Sequence, residues 1–173
     1  MRRVAALLGL AAALIVGLLA WANHSPPQLP PGARATEVVV IKHQRRLTLL
    51  QGSQIMADFP VSLGGRPRGH KQREGDERTP EGRYVIDYHN PRSAFFRSLH
   101  ISYPSSADTA RARKSGVSPG GMIMIHGLPP RLAWLGRLHL AADWTDGCIA
   151  LTNPEMKQVF AAVGDGTPIQ IQP

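Results

Sequence analysis

The sequence of 173 residues contains a single cysteine, Cys148. A disulfide bond within the chain is therefore impossible. The sequence also lacks an HExxH motif. The pair His139 and Asp143, four residues apart, is therefore a weak basis for a metal site, and we predict none. No internal repeat is visible, which argues against a repeat architecture.

The first 22 residues have the composition of an export segment. Arg2 and Arg3 precede an uncharged stretch of 19 residues from Val4 to Ala22, which is the order of a secretory signal. The small side chain of Ala22 suits cleavage after it, but the stretch also approaches the ~20 residues that an apolar helix needs to cross a bilayer. We therefore predict that residues 1–22 are a signal peptide or a membrane anchor. The rest of the chain is then outside the cytoplasm, in the periplasm or cell envelope.

Residues 23–35 are rich in proline, which favours a semi-rigid linker. One folded domain is predicted over residues 36–173. The formal net charge is +8, and 18 basic against 12 acidic residues remain without Arg2 and Arg3, so the exported part is still at +6. Outside the cytoplasm the matching polyanions are the cell wall and the lipid surface, rather than nucleic acid. A basic surface that only keeps the protein soluble is the alternative.

Beyond residue 36 the chain favours many short strands and few helices. Two segments favour helices, Ser106–Lys114 and Pro154–Val163. We therefore predict a mostly β domain, a sandwich or an open barrel, rather than a parallel α/β sheet. The strands are expected in β-branched and apolar runs between turns. These runs are Glu37–Lys42, Arg46–Leu50, Ile55–Ser62, Tyr84–Tyr88, Leu99–Tyr103, Met122–Ile125, Ile149–Leu151 and Pro168–Ile171.

The single cysteine has the sequence context of a nucleophile. In an oxidising compartment a free thiol either pairs with another chain or has a reactive role. A cysteine nucleophile needs a base to form its thiolate and donors for the oxyanion. His126, after a short apolar strand and before Gly127, is the best candidate base. Gly147 allows a substrate to approach Cys148 closely. A buried, inert Cys148 remains the alternative.

The order His126-Gly127, a spacer, and Thr145-Asp146-Gly147-Cys148-Ile149 resembles the active-site signature of the L,D-transpeptidase catalytic domain, the YkuD-like family. In that family a His-Gly pair is followed by Ser/Thr-His-Gly-Cys. Upstream, Phe59–Gly64 and Thr79–Tyr84 are similar to the family's strand and turn before the active site. The resemblance covers residues 37–172. It implies a mostly β fold with the cysteine at the mouth of a groove, and no metal or organic cofactor.

The resemblance also implies a role for each matching residue. The nucleophile is Cys148 and the general base is His126. The backbone carbonyl of Gly127 orients the base. The backbone amide of Gly147, with that of the cysteine, lines the oxyanion hole. Thr145 matches the Ser/Thr position, where its hydroxyl is expected to hold the loop at the substrate-binding site.

Two positions depart from the family pattern. Asp146 stands where the family has histidine, and Ala150 stands where it often has arginine. A carboxylate beside the thiol opposes thiolate formation, but it can also pair with protonated His126 or bind the amine of a substrate. Alternatively, Asp146 only caps backbone N–H groups in its turn.

Two further features have a functional and a structural interpretation. Trp144 is expected at the substrate-binding groove, where it caps the groove or stacks on a sugar, with core or rim packing as the alternative. The charged run Arg66–Arg78 could grip an anionic glycan, but a solvated loop is the better prediction.

These residues predict cysteine-dependent acyl transfer on the stem peptides of peptidoglycan, through a thioester on Cys148. The expected partners are stem peptides, with the membrane as a further partner if the first segment is retained, and no nucleic acid. A first alternative is a hydrolase that trims stem peptides or releases wall-linked protein through the same thioester. A second alternative is a non-catalytic wall-binding module with a relic site.

Overall fold

In the computed structural model eight strands form one continuous sheet. The structure describes the backbone of residues 2–173 and the side chains of residues 7–173. The order across the sheet is β3-β2-β1-β8-β4-β5-β6-β7. The mostly β prediction is confirmed, and the single sheet corresponds to the open arrangement rather than the sandwich. The strands are β1 (Glu37–Ile41), β2 (Arg46–Gln51), β3 (Gln54–Pro60), β4 (Gly82–Asn90), β5 (Ser98–Ile101), β6 (Met124–His126), β7 (Ile149–Ala150) and β8 (Pro168–Gln172).

The sheet is mainly antiparallel, with parallel pairs at β1–β8 and β6–β7. Strand β4 joins its two halves, because its first part pairs with β8 and its second part with β5. In β1 and β2 every second side chain is buried, which is the pattern of strands with one face on a core. The two short strands β6 and β7 occupy one end of the sheet, and both flank the predicted catalytic residues.

Two helices begin at well-formed caps. Helix α3 (Asn153–Ala162) starts with a capping box in which the Thr152 hydroxyl accepts the Glu155 N–H and the Glu155 carboxylate accepts the Thr152 N–H. Such a box satisfies two amides that a helix start leaves free. Helix α2 (Ser106–Lys114) starts with the same arrangement of Ser105 and Asp108.

Asp108 also ties α2 to the body of the domain. Its carboxylate accepts hydrogen bonds from Tyr84 Oη at 3.0 Å and from His70 Nε2 at 2.9 Å. The other ring nitrogen of His70 accepts the Glu81 N–H at 2.9 Å, which fixes the proton of the neutral ring on Nε2. The helix, strand β4 and the loop before β4 are therefore joined through one buried carboxylate.

The N-terminal segment is helical over α1 (Arg2–Ala22), and apolar side chains such as Leu14 and Val16 are exposed. Arg2 and Arg3, the predicted basic flank, are outside the residues whose side chains are described. In the described part of the chain, no helix has both the length and the apolar character needed to cross a membrane bilayer.

The proline-rich residues 23–35 run along α3 instead of extending away from the domain. The Leu29 N–H donates to Gln158 Oε1 at 2.9 Å, and the Ala35 N–H donates to the Ala162 carbonyl at 2.9 Å. The Leu29 side chain packs against the hydrophobic core. The predicted linker therefore contributes packing to the domain.

Candidate active site

His126 is the last residue of β6 and is buried. Its Nδ1 lies 2.7 Å from the carbonyl oxygen of Gly127, so Nδ1 carries the proton and Nε2 is free to accept one. Gly127 cannot carry a side chain here, because a Cβ would come within 2.5 Å of Asn153 Oδ1. That amide oxygen is fixed in turn by the Leu128 N–H at 2.7 Å. The ring orientation of the predicted base is thus set by its backbone neighbours.

Cys148 directly precedes β7, which pairs in parallel with β6 through Ile125 and Ile149. Its Sγ receives the N–H of Met124 at 3.4 Å. Met124 stands two residues before His126 on the same strand, so strand spacings put the Cα atoms of Cys148 and His126 roughly 8 Å apart. No hydrogen bond joins these two side chains in the described structure, where the thiol donates to the Met122 carbonyl oxygen at 3.7 Å.

The turn before the nucleophile is fixed by Thr145. Its Oγ1 donates to the Cys148 carbonyl at 2.7 Å and accepts the Gly147 N–H at 3.2 Å. Gly147 adopts φ +129°, and a Cβ there would come within 2.5 Å of the Arg78 carbonyl oxygen, so glycine is required. The amide of Gly147, predicted to line an oxyanion hole, is therefore engaged inside the turn. The Cys148 N–H has no acceptor among the described residues.

Asp146 is exposed, and its carboxylate accepts no hydrogen bond from the described residues. The turn amide of Gly147 is taken by Thr145 instead. The structural alternative for Asp146, in which it caps backbone N–H groups, therefore has no matching contact.

The charge states of the thiol and the imidazole follow from burial. Burial raises the pKa of the Cys148 thiol, the Met124 N–H opposes this, Asp146 raises the pKa further, and Lys71 lowers it. Burial also lowers the pKa of His126, and its backbone hydrogen bond offsets only part of that effect. The resting pair is therefore a neutral thiol and a neutral imidazole.

Aromatic rings surround the candidate base. The ring of Phe95 lies 4.7 Å from that of His126, and the ring of Trp144 lies 5.7 Å from it. Phe95 and Trp144 stack on each other at 6.4 Å. Phe95 is 39% exposed, so it forms the rim of the site. The place of Phe95 in the site could not be predicted from the sequence, because an aromatic residue in a turn carries no signal of which strand ends it will meet.

The loop over residues 64–80 runs against the nucleophile turn. Lys71 and Asp76 are buried and form an ion pair at 2.8 Å. Lys42 Nζ, also buried, donates to the Gly69 carbonyl at 2.7 Å and pairs with Glu81 at 2.7 Å. The prediction of a solvated loop over Arg66–Arg78 is therefore wrong at Lys71 and Asp76, because backbone amides and an opposite charge replace their water.

His139 and Asp143, the pair weighed as metal ligands, have separate partners. Asp143 pairs with Arg45 at 2.8 Å and accepts the Leu63 N–H at 3.0 Å. His139 contacts Trp144 instead. Over the described residues no three potential ligands are grouped.

Comparison with known families matches this architecture to one class. The family model described as the YkuD L,D-transpeptidase catalytic domain matches residues 35–171. The chain therefore belongs to the YkuD family of L,D-transpeptidase catalytic domains, as the resemblance predicted.

Individual relatives are distant. The chain is 25% identical over 132 residues to YafK of Escherichia coli strain K12, an L,D-transpeptidase by name, and the match covers 73% of this chain and 46% of YafK. The solved structure of Pgp2 from Campylobacter jejuni, described as a helical cell shape determining protein, has 24% identity and a TM-score of 0.61, covering 89% of this chain and 53% of Pgp2. Bd1075 of Bdellovibrio bacteriovorus has 25% identity and a TM-score of 0.53, with 85% and 51% covered. The chain thus spans about half the length of the relatives it matches.

Proposed function

We propose that the protein transfers acyl groups of peptidoglycan stem peptides through a thioester on Cys148. The observation that carries the proposal is the tautomer of His126. Its Nδ1–H donates to the Gly127 carbonyl at 2.7 Å, so Nε2 has a free lone pair that can accept a proton. His126 ends β6, which pairs with β7, and β7 begins directly after Cys148. Membership of the L,D-transpeptidase family supports the substrate class.

In the first half-reaction His126 Nε2 takes the proton of the Cys148 thiol as Sγ attacks the amide carbonyl between an L-configured centre and D-Ala. The C–N bond then breaks, and the imidazolium gives its proton to the leaving amino group of D-Ala. Because the resting pair is neutral, no charge is stored in the buried site before the substrate arrives.

The negative charge on the carbonyl oxygen needs a donor in the tetrahedral intermediate. The Cys148 N–H suits this role, since it has no acceptor among the described residues. The Gly147 N–H already donates to Thr145 Oγ1. Thr145 therefore contributes by fixing the turn that contains the Cys148 N–H. Gly147 contributes because a side chain there would clash with the Arg78 carbonyl oxygen.

In the second half-reaction an amine of another stem peptide, or water, gives a proton to His126 and attacks the thioester, and the thiol is restored. We assign the binding of that acceptor, as an ammonium, to Asp146, whose exposed carboxylate has no described protein partner. The ammonium loses one proton to bulk water and attacks as the neutral amine, whose second proton goes to His126. Trp144 and Phe95 provide the aromatic rim against which the peptide lies.

We assign this activity to the periplasm or cell envelope, where peptidoglycan is the substrate, with residues 1–22 as the export segment. The charge of +6 on the remaining chain favours contact with an anionic wall. The solved relative Pgp2 is described as a helical cell shape determining protein, which is consistent with a role of this chain at the cell wall.

The test is intact-mass measurement of the protein incubated with purified muropeptides. A single acyl adduct on the Cys148 peptide, absent from Cys148→Ser, is the expected result. Cross-linked dimers among the products mean transfer, whereas shortened monomers mean that water is the acceptor. Wall binding without any adduct or product would instead support a non-catalytic module and would rule out the proposed activity.

A further inference from the structure

Trp144 lies between two histidines. Its ring is T-shaped to that of His126, with centroids 5.7 Å apart and an interplanar angle of 69°, and to that of His139, at 6.3 Å and 87°. The indole Nε1 lies 3.4 Å from Nδ1 of His139. Because an indole N–H can only donate, Nδ1 of His139 is the acceptor, and the neutral His139 ring carries its proton on Nε2.

His139 is tied to the chain that continues from the nucleophile. Ser62 Oγ lies 3.2 Å from Nδ1 of His139 and 3.1 Å from its carbonyl oxygen. The backbone of Ser62 pairs with Ala150 through two hydrogen bonds of 3.0 and 2.8 Å. Ala150 is two residues beyond Cys148, so Ser62 connects His139 to the strand that follows the nucleophile.

The histidine is costly in this position. His139 is 6% exposed, and its Nε2 is buried without a hydrogen-bond partner in the described structure. A buried N–H that lacks an acceptor destabilises a fold, and an apolar side chain of similar size would avoid that loss. Burial, with a smaller contribution from nearby His126, lowers the pKa of His139 to about 4. The ring therefore remains a neutral acceptor for Trp144 at neutral pH.

The indole matters to His126 when that ring gains a proton. Phe95 and Trp144 both lie within 6 Å of the ring of His126, a residue that is only 4% exposed. An aromatic ring whose face lies within about 6 Å of a cation lowers the free energy of that cation, most of all where the cation is desolvated. Burial disfavours the imidazolium of His126, so the two rings supply part of what water would otherwise provide.

From these contacts we propose that His139 is a positioning residue. It accepts the indole N–H of Trp144 and so holds the rings of Trp144 and Phe95 against His126 when His126 is protonated. The inference rests on the proposed function, because it assigns a helper to the same base. His139 acts through Trp144 and takes no proton from the thiol or the substrate.

The experiment measures the rate at which iodoacetamide alkylates Cys148 in the full chain. Mass spectrometry follows the formation of the adduct. Because Cys148 is the only thiol, the adduct reports on that residue alone. The pH dependence of the rate reports thiolate formation, so the assay detects the effect of His126 without any turnover. Steady-state turnover of muropeptides is measured alongside.

His139→Leu removes the acceptor for the indole N–H. We expect kcat and the alkylation rate at pH 7 to fall about five- to tenfold, which corresponds to the loss of one hydrogen bond, while KM stays within about twofold. His139→Asn, whose amide oxygen can stand near the former Nδ1, should keep most of the rate. Trp134→Phe, at an exposed tryptophan outside the site, is the control and should match the wild type.

Trp144→Phe keeps a ring against His126 but loses the N–H, so it should reproduce the effect of His139→Leu. Because both variants break the same contact, the double variant should be no slower than either single variant. Effects that multiply in the double variant, or a wild-type alkylation profile in folded His139→Leu, would overturn the proposal. If His139→Leu does not fold, the comparison of Trp144→Phe with wild type decides alone.

The same assay separates this inference from the proposed function. If His126→Ala alkylates with the wild-type pH profile, His126 does not act on the thiol, and the proposed function fails. If His126→Ala changes the profile and Trp144→Phe does not, only the role of His139 is lost.

Discussion

Lys71 Nζ lies 2.8 Å from Asp76 Oδ1, inside the loop that passes behind the turn of the nucleophile. Both side chains are buried, and Lys71 is close enough to Cys148 to lower the pKa of its thiol. One ion pair therefore connects the stability of the loop with the charge state of the nucleophile.

Lys71→Met should destabilise the fold by ~3 kcal/mol, because it leaves Asp76 buried without its counter-charge. Urea unfolding at pH 7 measures the change. Lys157→Met, at an exposed position, should shift the unfolding free energy by less than ~0.5 kcal/mol. Equal effects of both variants would contradict a buried pair.

The loop should also be sensitive to acid. Burial raises the pKa of Asp76, but hydrogen bonds from the Gln72 N–H, Lys71, and the Arg73 and Arg78 amides outweigh it and hold the value at about 2. A depressed carboxyl pKa contributes stability above the unfolded value near ~3.9 and loses it as pH falls toward 2. Wild type should therefore lose stability over that window faster than Asp76→Asn.

A carbapenem should add covalently to Cys148. Its strained amide resembles the bond that the proposed mechanism attacks, and ring opening traps the acyl group on sulfur. Mass spectrometry should find one adduct per chain on the Cys148 peptide and none on Cys148→Ser. An unmodified wild type after long incubation at neutral pH would count against an activated thiol.

His126→Ala should reduce turnover by ~10²–10⁴-fold, the usual contribution of a general base. Initial rates on muropeptides give the size of the loss, and circular dichroism checks that the sheet persists. His43→Ala is the matched control, since His43 is exposed and contacts only the C-terminal carbonyl of Pro173 among the described residues. Similar losses in both variants would remove His126 from the mechanism.

Asp146→Asn should change two rates in opposite directions. The carboxylate raises the pKa of Cys148, so its removal should move the alkylation profile toward lower pH and speed alkylation at pH 7. If Asp146 also binds the acceptor ammonium, transfer to an amine acceptor should slow by about tenfold or more, through a higher KM for that acceptor. A transfer rate equal to wild type would limit Asp146 to its effect on the thiol.

The buried His139 predicts a loss of stability in weak acid. Burial, with a smaller contribution from His126, lowers the pKa of His139 to about 4, against an unfolded value near 6.5. Between those values the unfolded chain binds the proton more readily, so stability is complete above pH ~6.5 and falls as pH decreases, by about 3 kcal/mol near pH 4. His139→Asn should flatten this part of the curve, as measured by urea unfolding at pH 7 and pH 4.5.

All eight strands lie where the apolar runs predicted them, with ends that differ by a few residues. Helix α2 has the predicted bounds, because Ser105 and Asp108 give a capping signal that is local in sequence. Local patterns succeed where neighbouring residues alone decide the conformation.

The conformation of the segment Pro130–Ala141 could not be predicted from its sequence. This segment forms 3₁₀ turns on both sides of Gly136, whose backbone is non-helical. No apolar period marks it, and the contact of His139 with Trp144 depends on how the kinked chain folds back onto Ser62. Lys71 and Asp76 were missed for a related reason, because burial of two charges depends on partners that their spacing does not reveal.

The contact between Gly136 and Ala22 bears on when a leader that ends at Ala22 could be removed. Ala22 is 1% exposed, and a Cβ on Gly136 would overlap its carbonyl oxygen. A leader peptidase reads the small side chain that precedes the scissile bond, and that side chain is covered once the domain has formed. If the leader is removed after Ala22, the cut has to come during translocation, before the domain closes over its own processing site.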